Sequence, residues 1–102
     1  MDRQALSDQA VRRKADAAIA RSEGRLWDAL FCECMYFHFD RMAKGTPEKD
    51  VPIRAMLALG FPLIQLGFSP LVKKECTAKI VSWSLQDGTE ESLRAILKQY
   101  QR

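Results

Sequence analysis

Histidine occurs once in this sequence, at His38, and cysteine three times, at Cys32, Cys34 and Cys76. That scarcity removes most of the chemistry open to a chain of 102 residues. Structural zinc takes four ligands, usually in two short pairs. Cys32-x-Cys34-x3-His38 has a metal-like spacing at first reading. On a helix, however, residues two apart point about 200° away from one another, so Cys32 and Cys34 cannot share an ion. Cys34 and His38 can, but only Cys76 remains as a further thiol. The same pair could serve as nucleophile and base. No third residue orients them, and both fall on a face expected to be buried, whereas a catalytic thiolate needs access. No metal, cofactor or catalytic residue is therefore expected, no small-molecule substrate is identified, and the chain is read as not an enzyme.

Other absences narrow the setting. An odd number of thiols does not suit a secreted disulfide scaffold. The opening stretch MDRQALSDQA has no apolar segment of the signal-peptide kind. Together these give a cytoplasmic, reducing location as the expectation. The longest apolar run, Ala55 to Ile64, is ten residues and contains Gly60 and Pro62, too short to cross a bilayer. No membrane partner is expected. Convincing period-two alternation is missing, so no strand is expected either.

What is present is ordinary globular composition, with 47% apolar and 28% charged residues. A chain of this size can bury about 65% of its unfolded surface, enough for one core without staples. The reading is an all-α fold, one domain over 1–102, with five helices near 8–22, 25–43, 51–59, 70–85 and 90–101 and frayed residues 1–6. Ser7 or Asp8 caps the first helix, whose expected apolar stripe is Val11, Ala15, Ala18 and Ile19. Gly24 ends it, and Gly45 ends the second. Asp50 is the expected cap of the third, just ahead of Pro52. Ser69-Pro70 is a strong start for the fourth, with Val72, Cys76, Ile80 and Trp83 as its stripe. Thr89 caps the fifth, where Leu93, Ile96, Leu97 and Tyr100 give the clearest amphipathic repeat.

Leu-Gly-Phe appears twice, at 59–61 and 66–68, each time with a Pro close behind. Glycine just past a helix accepts positive φ, and an apolar residue after it packs back on the last turn. Both copies are read as helix terminators, with Phe61 and Phe68 filling the core. Leu66-Gly67-Phe68-Ser69 followed by helix resembles the loop of ubiquitin-associated domains. Ala58-Leu59-Gly60-Phe61 is similar to the same loop, and to that of the C-terminal domain of the bacterial Holliday-junction branch-migration protein. Glu23-Gly24-Arg25-Leu26 followed by Ala29-Leu30 resembles the turn inside a tetratricopeptide unit, with no second copy at 34 residues. Both likenesses imply helical interaction modules, and no family is assigned on them.

Two partner classes follow. The second helix is apolar nearly all round. Trp27, Phe31, Cys34, Met35, His38 and Met42 share one broad face, while Leu30 and Phe37 lie on the other among Glu33, Asp40, Arg41 and Lys44. Aromatics ringed by charge are a common interface composition. Leu30, Phe37, Glu33, Asp40 and Arg41 are thus the candidate interface for a protein partner or a homodimer, with burial inside the fold as the alternative. The second class is nucleic acid. Net charge is only +3, but Arg12, Arg13, Lys14, Arg21 and Arg25 cluster between Ala10 and Arg25, four of them on the first helix, and could meet phosphates. Lys73, Lys74 and Lys79 could add to them. Glu90 with Glu91, and Glu33 with Asp40, are read as helix-start and surface acids rather than a general acid/base pair.

Overall fold

The computed structural model describes residues 1–101. It contains α1 (Arg3–Ser22), α2 (Leu26–Lys44), α3 (Val51–Gln65), α4 (Pro70–Gln86) and α5 (Glu90–Lys98), with a 3-10 turn over Glu48–Asp50 leading into α3. The five-helix all-α fold is as the sequence indicates.

Local chemistry explains most boundaries. The Ser69 side chain accepts from the Val72 backbone N–H and Thr89 from that of Ser92, so each satisfies a donor that a helix start leaves orphaned. At the end of α3, Gly67 takes φ 81, and its N–H reaches the Ile64 carbonyl while that of Phe68 reaches Leu63. This double closure is the left-handed cap that glycine makes cheap. Phe68 then packs between Trp27 and Tyr100, with ring centroids 6.0 and 5.5 Å away, which is the expected aromatic plug.

Three boundaries differ from expectation, the simplest being that α5 ends at Lys98, short of the expected 101. α1 begins at Arg3, because the Asp2 side chain accepts from the Ala5 N–H, and Leu6 is buried rather than frayed. α3 does not stop at Gly60. It continues through Gly60 and the buried Pro62 to Gln65. Proline inside a helix removes one backbone hydrogen bond and crowds the preceding turn. Here burial of Leu59, Pro62 and Leu63 on one side of the same helix outweighs that cost. The first Leu-Gly-Phe is therefore helix, not a loop, and Phe61 is 62% exposed instead of filling the core.

α2 is the hub. The core is built from Leu30, Cys34, Met35 and Phe37 of α2, Leu59 and Leu63 of α3, Cys76, Ile80 and Trp83 of α4, and Leu93 and Leu97 of α5. α1 lies outside that core, strapped along α2 through Leu6, Ala10, Ala17 and Ala20. Its expected stripe is the wrong face: Val11 is 67% and Ile19 54% exposed. The face that docks carries Arg13, Lys14 and Arg21. Lys14 and Arg21 place their cationic heads 3.4 and 3.3 Å from the carboxylate of Glu33. Three acid–base pairings, Glu90 with Arg13 included, decide the rotation of α1 against the stronger hydrophobicity of Val11 and Ile19.

Candidate functional site

The interface expected on α2 is not a surface. Leu30 is fully buried, and Phe37 and Glu33 are each 2% exposed. Leu30 and Phe37 belong to the central core, and the buried Glu33 is the anchor for two cations of α1. Asp40 and Arg41 are only partly exposed, and Asp40 pairs with Lys44 across one helical turn. Arg41 turns inward. Its Nε donates to Ser84 Oγ at 2.6 Å and one terminal N–H to the Ser84 carbonyl at 2.6 Å. α2 is apolar nearly all round because it is covered nearly all round.

The basic cluster of α1 and the turn that follows it is likewise engaged inside the chain. Arg13 binds Glu90, Lys14 and Arg21 bind Glu33, and Arg25 binds Glu23 and Asp28. Arg21 also donates to Gln65 Oε1 at 2.8 Å and lies 6.0 Å above the Phe61 ring. Of the five residues expected to meet phosphate, only Arg12 has no ion pair among the described residues.

Cys34 and His38 share the buried side of α2 but do different things. His38 Nδ1 is 2.7 Å from Ser84 Oγ, and its ring packs against that of Trp83 in a tilted arrangement, centroids 5.0 Å apart. An arrangement that satisfies all three polar groups has Ser84 accepting from Arg41 and donating to His38. Burial, reinforced by the Arg41 charge and opposed by Asp87, lowers the His38 pKa to about 4. Burial pushes the Cys34 thiol well up, with Cys76 and Glu33 adding to the effect, and Cys76 itself is pushed up to about 11. These thiols are protonated at neutral pH and closed to solvent. No three His, Cys, Asp or Glu side chains come together as a metal set among the described residues.

The unexpected feature is the outer face of α3. Ile53, Met56, Leu57, Phe61 and Ile64 are each more than half exposed, and Leu71, at the start of α4, is 79% exposed. Along the helix the α3 residues, with Gly60, fall at i, i+3, i+4, i+7, i+8 and i+11. That is one continuous stripe. The opposite side of the same helix, Val51, Ala55, Leu59 and Leu63, is fully buried. α3 thus has two apolar faces and one neighbour for each only on the inner side. A monomer surface rarely leaves so many large apolar side chains together without a use for them.

Beside the stripe, α3 and α4 enclose an open cleft of about 480 Å³. Pro52, Met56 and Gly60 form one wall, Ala78 and Val81 line the other, and Lys73 and Lys74 stand on its rim. Nothing lies within 4 Å of the position a Cβ would take on Gly60, so the cleft is open down to the backbone there. The signal for this face was in the sequence, since the stripe has perfect helical spacing. It was hidden by reading Gly60 as a stop.

Comparison with protein-family models, with curated proteins and with solved structures finds no match for this chain. No helix among the described residues is long and apolar enough to cross a membrane.

Proposed function

We propose that this chain is a non-catalytic helical interaction module that docks a helix of a partner protein on the outer face of α3. The observation carrying the reading is the stripe Ile53, Met56, Leu57, Phe61 and Ile64, exposed along three turns of a helix whose other side is core. An amphipathic helix laid in an apolar groove uses such spacing of anchors. The three free thiols support a cytoplasmic setting. Nucleic-acid binding through α1 is less well supported, because four of the five cations expected to meet phosphate, Arg13, Lys14, Arg21 and Arg25, already hold acids of the same chain.

Paired substitutions test the reading. Leu57→Glu and Phe61→Glu are surface changes, so helical content and the urea midpoint should stay close to those of the parent. Capture of a partner should be lost in both and retained in Val11→Glu, which alters the exposed side of α1. Equal capture by all three proteins would remove the α3 face from the proposal. A salt-sensitive affinity for short DNA that falls in Arg12→Ala would favour the nucleic-acid reading instead.

A further inference from the structure

The chemistry of the partner can be argued further, on the assumption that the α3 face is the docking surface. The cleft beside the stripe has an apolar floor and no acid in its lining. Its rim carries Lys73 and Lys74, and Arg54 projects from the exposed side of α3. Among the described residues none of these three has a carboxylate within ion-pair distance, whereas Arg13, Lys14, Arg21, Arg25, Lys44 and Lys79 all do. These three are thus unpaired cations that stand beside the apolar surface, available to an incoming acid. We propose that the occupant is an acidic amphipathic helix, with apolar anchors seated along Met56, Gly60 and Phe61 and carboxylates facing Lys73, Lys74 and Arg54.

Two features favour this occupant, and two alternatives fit less well. From Ile53 to Ile64 the stripe rises about 16 Å, the length of three helical turns, which suits a partner with anchors at i, i+3 or i+4, and i+7. Gly60 lets one large anchor reach the α3 backbone, since no side chain fills that position. A second copy of this chain fits less well. A two-fold interface sets the same patch against itself, and would bring the unpaired cations of one rim towards those of the other. A lipid surface would accept the lysines, but it is flat and leaves a concave cleft unfilled.

The test uses the full chain and two synthetic helical peptides with identical leucine anchors, one flanked by glutamates and one by lysines. Titration into isotopically labelled protein should shift the amides of Met56, Gly60, Phe61, Lys73 and Lys74 with the glutamate peptide. Its affinity should exceed that of the lysine peptide by about tenfold or more, and should fall by about tenfold in the double variant Lys73→Glu, Lys74→Glu. Affinity should also drop as salt rises. Met56→Glu should abolish binding without changing helical content. Equal affinity for the two peptides, with the same amides shifting, would overturn the acidic partner and leave the docking face standing. A dimer in light scattering that becomes monomeric in Leu57→Glu would overturn it in favour of a second copy. Binding to vesicles of phosphatidylserine and phosphatidylcholine, with neither peptide bound, would overturn it in favour of a lipid surface. No response of any α3 amide to peptide, vesicle or protein concentration would overturn both the inference and the proposed function beneath it.

Discussion

His38 is the one side chain whose charge state the fold itself constrains near neutral pH. Its pKa is lowered to about 4, from 6.5, by burial and by Arg41. The neutral ring is therefore the form that the native state prefers. Between these two values the unfolded chain binds the extra proton, so stability is full above pH 6.5 and is lost as pH falls from 6.5 towards 4. The loss should reach on the order of 2–3 kcal/mol. Urea midpoints measured from pH 7 to 5 should slope downward, and His38→Asn, which keeps a neutral polar group near Ser84, should flatten that slope. An unchanged slope would mean that other groups dominate. Gly88 belongs to the same neighbourhood. It sits at φ 66, and a Cβ there would come within 2.4 Å of His38 Cε1 and Nε2, a severe clash. Gly24, at φ 77, has nothing within 4 Å. Gly24→Ala should thus cost only the left-handed backbone term, about 1–2 kcal/mol. Gly88→Ala should cost about 3 kcal/mol or more, since overpacking adds to it. Equal midpoints for the two variants would contradict the close approach to His38.

α3 holds a conflict between helix stability and the use of its outer face. Gly60 is helical and unobstructed, so Gly60→Ala should stabilise the protein by about 1 kcal/mol, by lowering the entropy of the unfolded chain and raising helix propensity. The same methyl narrows the cleft at the point where an anchor would sit, so partner affinity should fall while the thermal midpoint rises. A variant that gains both would show that Gly60 is not a contact point. The contrast between the two Leu-Gly-Phe copies shows how far sequence reasoning reaches. Helix starts at Ser69 and Thr89, the cap at Gly67 and the α4 and α5 stripes rest on neighbours within a few residues, and all were legible. Gly60 and Gly67 have the same flanking residues. What separates them is distant in sequence: Phe68 meets Trp27 and Tyr100, while the inner side of α3 keeps its helix going past Phe61. The face of α1 was illegible for the same reason. Val11 and Ile19 outrank Ala10 and Ala17 in hydrophobicity, and the positions of Glu33 and Glu90, on other helices, reverse the order.

Across the molecule, α1 is held to the rest both by its close packing along α2 and by ion pairs. Arg21 links three helices at once, through Glu33 on α2 and through Gln65 and the Phe61 ring on α3. Lys14 has a longer ion pair, and its side chain is 58% exposed. Arg21→Ala should lower stability by roughly 1–2 kcal/mol and Lys14→Ala by roughly half a kcal/mol or less, with denaturation midpoints as the readout. Because Arg21 also braces Phe61, its loss should loosen the outer face of α3 as well, visible as faster amide exchange near Phe61. Equal effects of the two substitutions would show that α1 is held by Leu6 and its alanines alone.

The buried thiols add a built-in clock. Cys34 and Cys76 are fully enclosed and stay protonated at neutral pH, whereas Cys32 is partly open. An alkylating reagent should modify Cys32 on the native protein, and the other two only while the helices have parted. Mass spectrometry would then count opening events one molecule at a time, without an added probe. An occupant on α3 should slow the labelling of Cys34 and Cys76 in proportion to the strength with which it holds the bundle shut, and leave Cys32 almost unaffected.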